Sequence, residues 1–418
     1  MKSGLHRSVL KAFSFDGVPV REQVAATSGR HDREKGWRDK LRHCRSERRA
    51  CARLGFYPKK YKSIFSFRVD ADEYDSRMFD RFFQTAKKYS HGISLFFSMA
   101  NYERCPHEIR RCHDEGMEIH SHAYIHYTYR SYEQNRWNLQ RADAILEKVG
   151  IARHGFASPY GRWNKALQRA IEERGYEFSS EFSYDYDNLP SYPNIDGRSS
   201  RVLQVPVHPV GLGIYQESSA PYSTRQVQSH FGSLFEKKYK NQEPILFYDH
   251  PTKWLGVYPE FMDFLFQLAS AKKDVWICRM GEWAAWWKKR DLVRWEFNTD
   301  AGKEEFSLRV TQDPAGVSEN CEVEIFHPYE NSSTFFPLGS GVSKGNLSRL
   351  DWRPFSEPET YDDGEIIREK KITKRLKRIL KNWLDWETST PRNEIIRESF
   401  PSVIKSSLRY WSDSRHLK

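Results

Sequence analysis

The feature that most constrains this chain is an alternation of short apolar runs with amphipathic helical stretches between residues 61 and 290. It begins with SIFSFRVDAD, in which Ile64, Phe65, Phe67 and Val69 form an apolar run that stops at acidic residues, the pattern of a buried strand. A helix is expected over about 76–89, where Met78, Phe79, Phe82 and Phe83 fall at helical spacing. GISLFFSMA (92–100) reads as a second strand, and 106–115 as a helix stopped at Gly116. MEIHSH (117–122), HGFASP (154–159), LQVPVHP (203–209), PILFYDHP (244–251) and DVWICRM (274–280) supply further strands. Between them lie YEQNRWNLQRADAILEKVG, ending at Gly150, NKALQRAIEERG, ending at Gly175, and a helical stretch over about 256–272. Strands separated by helices of this length imply a parallel sheet with helical crossovers, and the number of units fits a complete or partly opened (β/α) barrel. Such barrels carry their chemistry at the C-terminal ends of the strands.

The flanking sequence has a different texture. Residues 1–60 read as a basic lead-in, irregular or partly helical. After 290, VRWEFN, EFSLRVTQ and CEVEIFHP alternate apolar and polar residues, predicting a small antiparallel β domain over 291–355. The tail, 364–418, is again basic. Over 364–387 it places Ile372, Leu376, Ile379, Leu380, Trp383 and Leu384 on one helical face, with lysines and arginines elsewhere. A helix of this kind either lies against an anionic membrane surface or packs on its own protein.

Charge follows the same division. Residues 1–62 hold 17 Lys+Arg against 6 Asp+Glu, residues 364–418 hold 14 against 7, and the body between holds 36 against 43. Basic ends on an acidic body suit the phosphates of lipids or lipid-linked sugars, or simple solvation. They do not suit a nucleic-acid reader, for which no recognition motif is present. An aromatic content of 15% excludes a disordered chain, and no window approaches the ~18 apolar residues of a membrane span. The N-terminus has a basic start without an apolar segment after it, so a cytoplasmic setting and reduced thiols are expected for the six cysteines, whose spacing matches no paired zinc motif.

Three chemically rich clusters fall just after predicted strands: Asp70-Ala71-Asp72-Glu73, His120-Ser121-His122-Ala123-Tyr124-Ile125-His126, and Asp249-His250-Pro251. Singly, each has a structural explanation, the acidic residues as helix caps and the histidines as packing residues. Together they form a His-His-carboxylate set with open coordination positions, the composition of a catalytic divalent-metal site. His122 and His126 stand four apart, so one helical turn would bring both imidazoles to one side. Asp70 and Asp72, two apart on an extended chain, point the same way, so that one can ligate the ion while the other takes a proton from water. His250 could protonate a leaving group. The set predicts metal-assisted hydrolysis.

Over roughly residues 61–290 the sequence resembles the polysaccharide deacetylases, the NodB-homology superfamily. RVDADEYD (68–75) matches the family's first aspartate motif and GMEIHSHAYIH (116–126) its His-x-x-x-His motif. GFASPYG (155–161) matches its proline-tyrosine-glycine motif and LFYDHP (246–251) its final histidine motif, with order and spacing preserved. The resemblance implies a distorted, open (β/α) barrel. It implies Asp70 as general base, His250 as general acid, and Tyr160 as the residue whose backbone N–H polarises the amide oxygen. It further implies Asp72, His122 and His126 as ligands of a divalent ion, most often zinc. The reaction implied is removal of an N-acyl group, usually acetyl, from an amino sugar or glycan. Pro159, Trp163 and Trp254 flank these motifs as candidate substrate contacts, Tyr124 and Tyr127 flank the ligands, and 179–187 reads as a substrate-contacting loop.

Two departures stand out. The arginine that the family commonly places beside its base is replaced by Ala157, leaving Arg153, Arg162 or Arg68 as substitutes. The aspartate that tunes the catalytic histidine has only Asp185, Asp187 and Asp249 as candidates. The expected function is a metal-dependent N-deacetylase working on a cytoplasmic precursor of surface polysaccharide, with peripheral membrane contact through the basic tail. The alternatives are a catalytically silent carbohydrate-binding relative, or a hydrolase of another C–N bond such as a formamide or cyclic amide. Oligomeric state is left open.

Overall fold

The structure, a computed structural model, describes residues 36–37, 39–182, 189–208, 211–212, 223–299 and 304–355. The basic tail and Asp185 and Asp187 lie outside the described residues.

The alternation is realised as a parallel sheet wrapped by helices. In chain order its strands are β2 (Ser63–Ala71), β3 (Ile93–Phe97), β4 (Glu118–Ser121), β5 (Gly155–Ala157), β6 (Phe178–Ser180), β9 (Leu203–Gln204), β10 (Ile245–Asp249) and β11 (Val275–Ile277). The crossovers carry α1 (Ser76–Ala86), α2 (Pro106–Asp114), α3 (Tyr132–Lys148), α4 (Lys165–Glu173), α5 (Thr224–Lys240), α6 (Glu260–Ser270) and α7 (Met280–Arg290). A short hairpin, β7 (Asn194–Ile195) and β8 (Arg198–Ser199), precedes β9. The strand order is β10-β2-β3-β4-β5-β6-β9, with β11 also pairing β2. The two ends of this path approach each other, and His208 N–H donates to Leu246 O at 2.9 Å across the seam. The result is the distorted (β/α) barrel expected from the pattern.

All nine residues of β2 are buried because the strand is covered on both faces. Its odd-numbered residues, Phe65, Phe67, Val69 and Ala71, join Leu95, Ile119 and Phe247 in the outer core beneath the helices. The alternate face turns into the barrel, where Ile64 meets Phe96, Phe178, Leu203, Leu246 and Tyr248. Local chemistry sets the helix starts: Asp75, Ser131 and Asn164 accept backbone N–H bonds at the first turns of α1, α3 and α4.

The interior core does not stop at the barrel. It continues through Trp283 and Trp287 of α7 into two antiparallel sheets, burying Phe306, Leu308, Val323 and Ile325. One sheet is β12 (Arg294–Thr299), β13 (Glu305–Gln312) and β16 (Val342–Asn346). The other runs β1 (Cys51–Leu54), β14 (Glu322–Phe326), β15 (Ser332–Pro337) and β17 (Arg353–Pro354). Residues 51–54 therefore differ from the lead-in reading. Four short residues carry too little periodicity to announce a strand, and only pairing with β14 makes one. Buried Arg290 fastens the corner, donating to Gly55 O at 2.6 Å and Leu54 O at 2.9 Å. The 203–209 run is likewise shorter as a strand than its composition suggests: beyond Gln204 its described residues hold to the sheet by single contacts, among them the Val207–Phe182 bridge and the His208 bond to Leu246 O.

Glu118 ties the barrel to α7. Its Oε2 accepts from Gly281 N–H at 2.9 Å, at the N-terminus of α7, and from Ser94 Oγ at 2.8 Å, with His120 Nε2 also 2.9 Å away. Burial opposes ionisation of this carboxyl, but the imidazole and the two hydrogen bonds outweigh it and bring the pKa from an ordinary 4.5 to about 2. A carboxyl lowered on folding stabilises the protein above its unfolded pKa, and that contribution is lost as pH falls from about 4.5 towards 2. Glu118→Gln should therefore flatten the acid limb of a denaturation series by ~2–3 kcal/mol between pH 5 and 2, and an unchanged limb would contradict this account.

Candidate metal and catalytic site

The three sequence clusters meet at the C-terminal ends of β2, β4 and β10. Parallel pairing places Asp70 beside Phe96 of β3 and Phe97 beside Ser121 of β4, so the acidic and histidine motifs leave the sheet at one rim. Ligand atoms of Asp72, His122 and His126 all lie within 4.8 Å of one another. His122 Nε2 stands 3.1 Å from Asp72 Oδ1 and 3.1 Å from His126 Nε2, and His126 Nε2 stands 3.3 Å from the same Oδ1.

The protonation states fit a cation. His122 Nδ1 lies 2.7 Å from Ala157 O, and a carbonyl only accepts, so Nδ1 carries a proton and Nε2 is the ring nitrogen that faces the cluster. Burial pushes the His126 imidazole down to about 3, against the pull of the Asp72 charge, which leaves it neutral near pH 7. Burial acts to raise Asp72, but the neighbouring His126, His250 and His122 hold it well below the usual carboxylate range. Asp72 Oδ1 is buried and takes no hydrogen bond. Two imidazoles, that of His126 neutral, and one carboxylate, with a buried oxygen at their centre, are a donor set for a divalent ion with positions left over for other ligands.

The path from His122 to His126 differs from the helical turn expected. Residues 122–126 form a bend outside any helix, with Ala123 at φ +65°. Convergence comes from the bend and its anchors: His122 N–H donates to Phe97 O at 2.8 Å, and Ala123 O accepts from Met99 N–H at 2.9 Å.

Asp70 is held behind this cluster by Arg68. The guanidinium grips both carboxylate oxygens, Nε to Oδ1 at 2.6 Å and Nη2 to Oδ2 at 2.6 Å, while Nη1 donates to Ser180 O at 3.0 Å. Arg68 is fully buried and Asp70 2% exposed. Asp70 Oδ2 stands 3.9 Å from His122 Nε2. This pair supplies the arginine absent at Ala157, from two residues upstream on the same strand. Of the other candidates, Arg153 bonds Asp143, and Arg162 lies over the rings of Tyr160 and Tyr127.

His250 Nε2 lies 3.3 Å from Asp72 Oδ2. Its neighbour Asp249 is buried, accepts from His250 N–H at 2.9 Å and from Leu212 N–H, and places Oδ1 3.6 Å from His250 Nδ1. Tyr160 packs its ring 4.4 Å from that of His126. It sits at φ +61°, followed by Gly161 at φ +62°, where a Cβ would come within 2.1 Å of the Phe182 ring. Pro159 is buried beside them. Trp163 is 7% exposed with its indole N–H donated to Gln168, and Trp254 is 8% exposed in a π-helical turn over Pro251–Leu255. The helix expected from 256 begins after that turn, at Glu260. Tyr124 is buried with its hydroxyl on Glu103. Of the 179–187 loop, residues 179 and 180 belong to strand β6, and only Glu181 and Phe182 beyond them are described.

With this geometry in place, comparison defines the class. The polysaccharide deacetylase family model matches residues 66–179, a span that contains Asp70, Asp72, His122, His126 and Tyr160. This region of the chain is similar to the polysaccharide deacetylase, or NodB-homology, superfamily, as its motifs imply. Among solved structures, the chain is similar to a Mycobacterium smegmatis protein named as a polysaccharide deacetylase, at 17% identity and a TM-score of 0.48, covering 56% of this chain and 93% of that one. It is similar to the PuuE allantoinase, at 19% identity and a TM-score of 0.47 over 56% and 93% of the two chains. It is also similar to a Pseudomonas aeruginosa PAO1 protein named as a polysaccharide deacetylase, at 18% and 0.47 over 56% and 94%. No curated protein matches the sequence.

Calorimetric titration with Zn2+ should show about one ion per chain. Asp72→Asn should weaken binding ~100-fold or more by replacing the charged ligand with a neutral amide, and equal affinity in the two proteins would exclude Asp72 as a ligand.

Proposed function

We propose that the chain is a metal-dependent N-deacetylase of an amino sugar, with zinc as the ion. The observation that carries this reading is the meeting of an Arg68-clamped Asp70 with the Asp72–His122–His126 cluster at one barrel rim, Asp70 Oδ2 lying 3.9 Å from His122 Nε2. Bound by Asp72, His122 and His126, the ion supplies Lewis-acid polarisation of the acyl carbonyl and raises the acidity of water.

The chain's own groups do the rest. Asp70 takes the proton of the attacking water as general base. The two parallel bonds from Arg68 fix the carboxylate plane, and a planar fork does this better than a lysine. The Tyr160 backbone N–H is assigned to the oxygen that gains charge as the tetrahedral species forms. The left-handed conformation shared by Tyr160 and Gly161 supports that role, since such backbone is retained where the surroundings enforce it. His250 gives its proton to the departing amine, with Asp249 beside Nδ1 to steady the ring. Pro159, Trp163 and Trp254 are assigned to the wall that shapes the sugar subsite, their burial making them a rigid support.

The cellular setting proposed is the inner face of a membrane, on a cytoplasmic precursor of surface polysaccharide. Its support is the basic, amphipathic composition of 364–387, which complements anionic lipid and polyprenyl phosphate. No helix among the described residues is long and apolar enough to cross a membrane.

The test is acetate release from a panel of N-acetylated amino sugars by zinc-loaded protein. Arg68→Met should lower kcat ~100-fold while Zn2+ still binds with a stoichiometry of about one, because it frees the base without touching a ligand. His250→Gln should lower kcat ~100-fold or more. Zinc-loaded wild-type protein that releases no acetate from any member of the panel would reject the reading.

A further inference from the structure

We propose that Asn138 of α3 is a positioning residue that sets how tightly the His122–His126 pair holds a divalent ion, with Asn135 supporting it one helical turn earlier. The inference rests on the metal-site reading above and concerns two residues that carry none of its chemistry.

Asn135 and Asn138 stand three apart, so they share one face of α3. Both are buried, at 1% and 2% exposure, on a helix that also buries Trp137, Leu139 and Ala142. A carboxamide buried in such company is costly unless each polar atom is bonded. Asn138 meets that condition entirely on the histidine bend. Its Oδ1 accepts from Ile125 N–H at 2.7 Å, and its Nδ2 donates to Ile125 O at 2.9 Å and Tyr127 O at 3.0 Å. Its main-chain oxygen also accepts from Tyr124 N–H at 3.3 Å. These bonds bracket His126 on both sides. Asn135 pins the exit of the same segment, accepting from Tyr129 N–H at 2.9 Å and donating to Tyr129 O at 2.8 Å.

The bend needs this support because no ladder or helix supplies it. Residues 122–126 lie outside regular structure, with Ala123 in the left-handed region. Left to itself, such a segment would sample many backbone states, and most would separate the two imidazoles. Fixing Ile125 and Tyr127 before an ion arrives removes that ordering cost from the binding step. Supporting partners of metal ligands act in this way and typically alter affinity by ~10–100-fold. Asn138 bonds the backbone on either side of the ligand, whereas Ala157 O holds His122 through its ring.

Full-length protein carrying Asn138→Ala should bind Zn2+ at least ~10-fold more weakly than wild type by calorimetry. Co2+ bound to the variant should show altered d–d absorption, reporting a changed ligand arrangement. Leu265→Ala on α6 serves as the control, since it opens a cavity in the outer core on a helix that packs against α1, α5 and β11. That control should lower thermal stability yet leave Zn2+ affinity and the Co2+ spectrum as in wild type. If Asn138→Ala does not fold, Asn138→Ser, which retains a smaller donor and acceptor, replaces it with the same expectation. A folded Asn138 variant with wild-type affinity and spectrum overturns the inference while leaving the metal site standing. Wild-type protein that binds neither ion overturns the metal-site reading itself, and the inference with it.

Discussion

Arg68 and Asp70 form a fully internal ion pair near the top of the barrel, joined by two hydrogen bonds of 2.6 Å. Two charges withdrawn from water in this way are tolerated only when their remaining hydrogen-bonding capacity is met. The barrel meets it: Ser180 of β6 takes the third guanidinium nitrogen through both its carbonyl and its hydroxyl, and the rings of Phe96, Phe182 and Tyr248 surround the cation. Strands β2, β3, β6 and β10 must therefore hold their mutual register for the pair to survive. The same register brings Asp72 past the rim and places His122 next to it.

The site is layered around this pair. Below it, aromatic residues fill the barrel and continue through α7 into the antiparallel sheets, so the floor of the site and the β region share one core. Beside it, Ala157 offers its carbonyl to the ring of His122, while Arg68 holds Asp70. Above it, Asp72 is approached by three imidazoles, those of His122, His126 and His250. Burial keeps His126 neutral, and the neighbouring imidazoles hold Asp72 well below the usual carboxylate range.

Much of this was legible in the sequence. The parallel barrel followed from apolar runs separated by helices of suitable length, because burial on both faces of a strand leaves a pattern that needs no partner to be recognised. Asp70, Asp72, His122, His126 and His250 stood out because charged and imidazole side chains at strand ends are conspicuous against an apolar background. The antiparallel region was visible by alternation in 294–299, 305–312 and 322–326. Strands β1, β15, β16 and β17 were not, since each is short, polar or part of a loop-like run whose identity depends on its neighbour.

The remaining features arose only in three dimensions. His122 and His126 suggested a helical turn, yet a bend anchored by Phe97, Met99 and Asn138 brings them together, because spacing constrains how far apart two side chains can lie and says nothing of the backbone between them. Arg68 was one of three possible partners for the base, and only the inward-facing alternation of β2 selects it. Asn138 carried no signal, since a buried asparagine on an amphipathic helix resembles any polar interruption until its partners are known. The sequence by itself determined the strand–helix succession and the chemical inventory of the site, which are local properties of residue type and period. Tertiary structure decided which groups meet, because contacts between residues tens of positions apart are set by sheet register and loop anchoring.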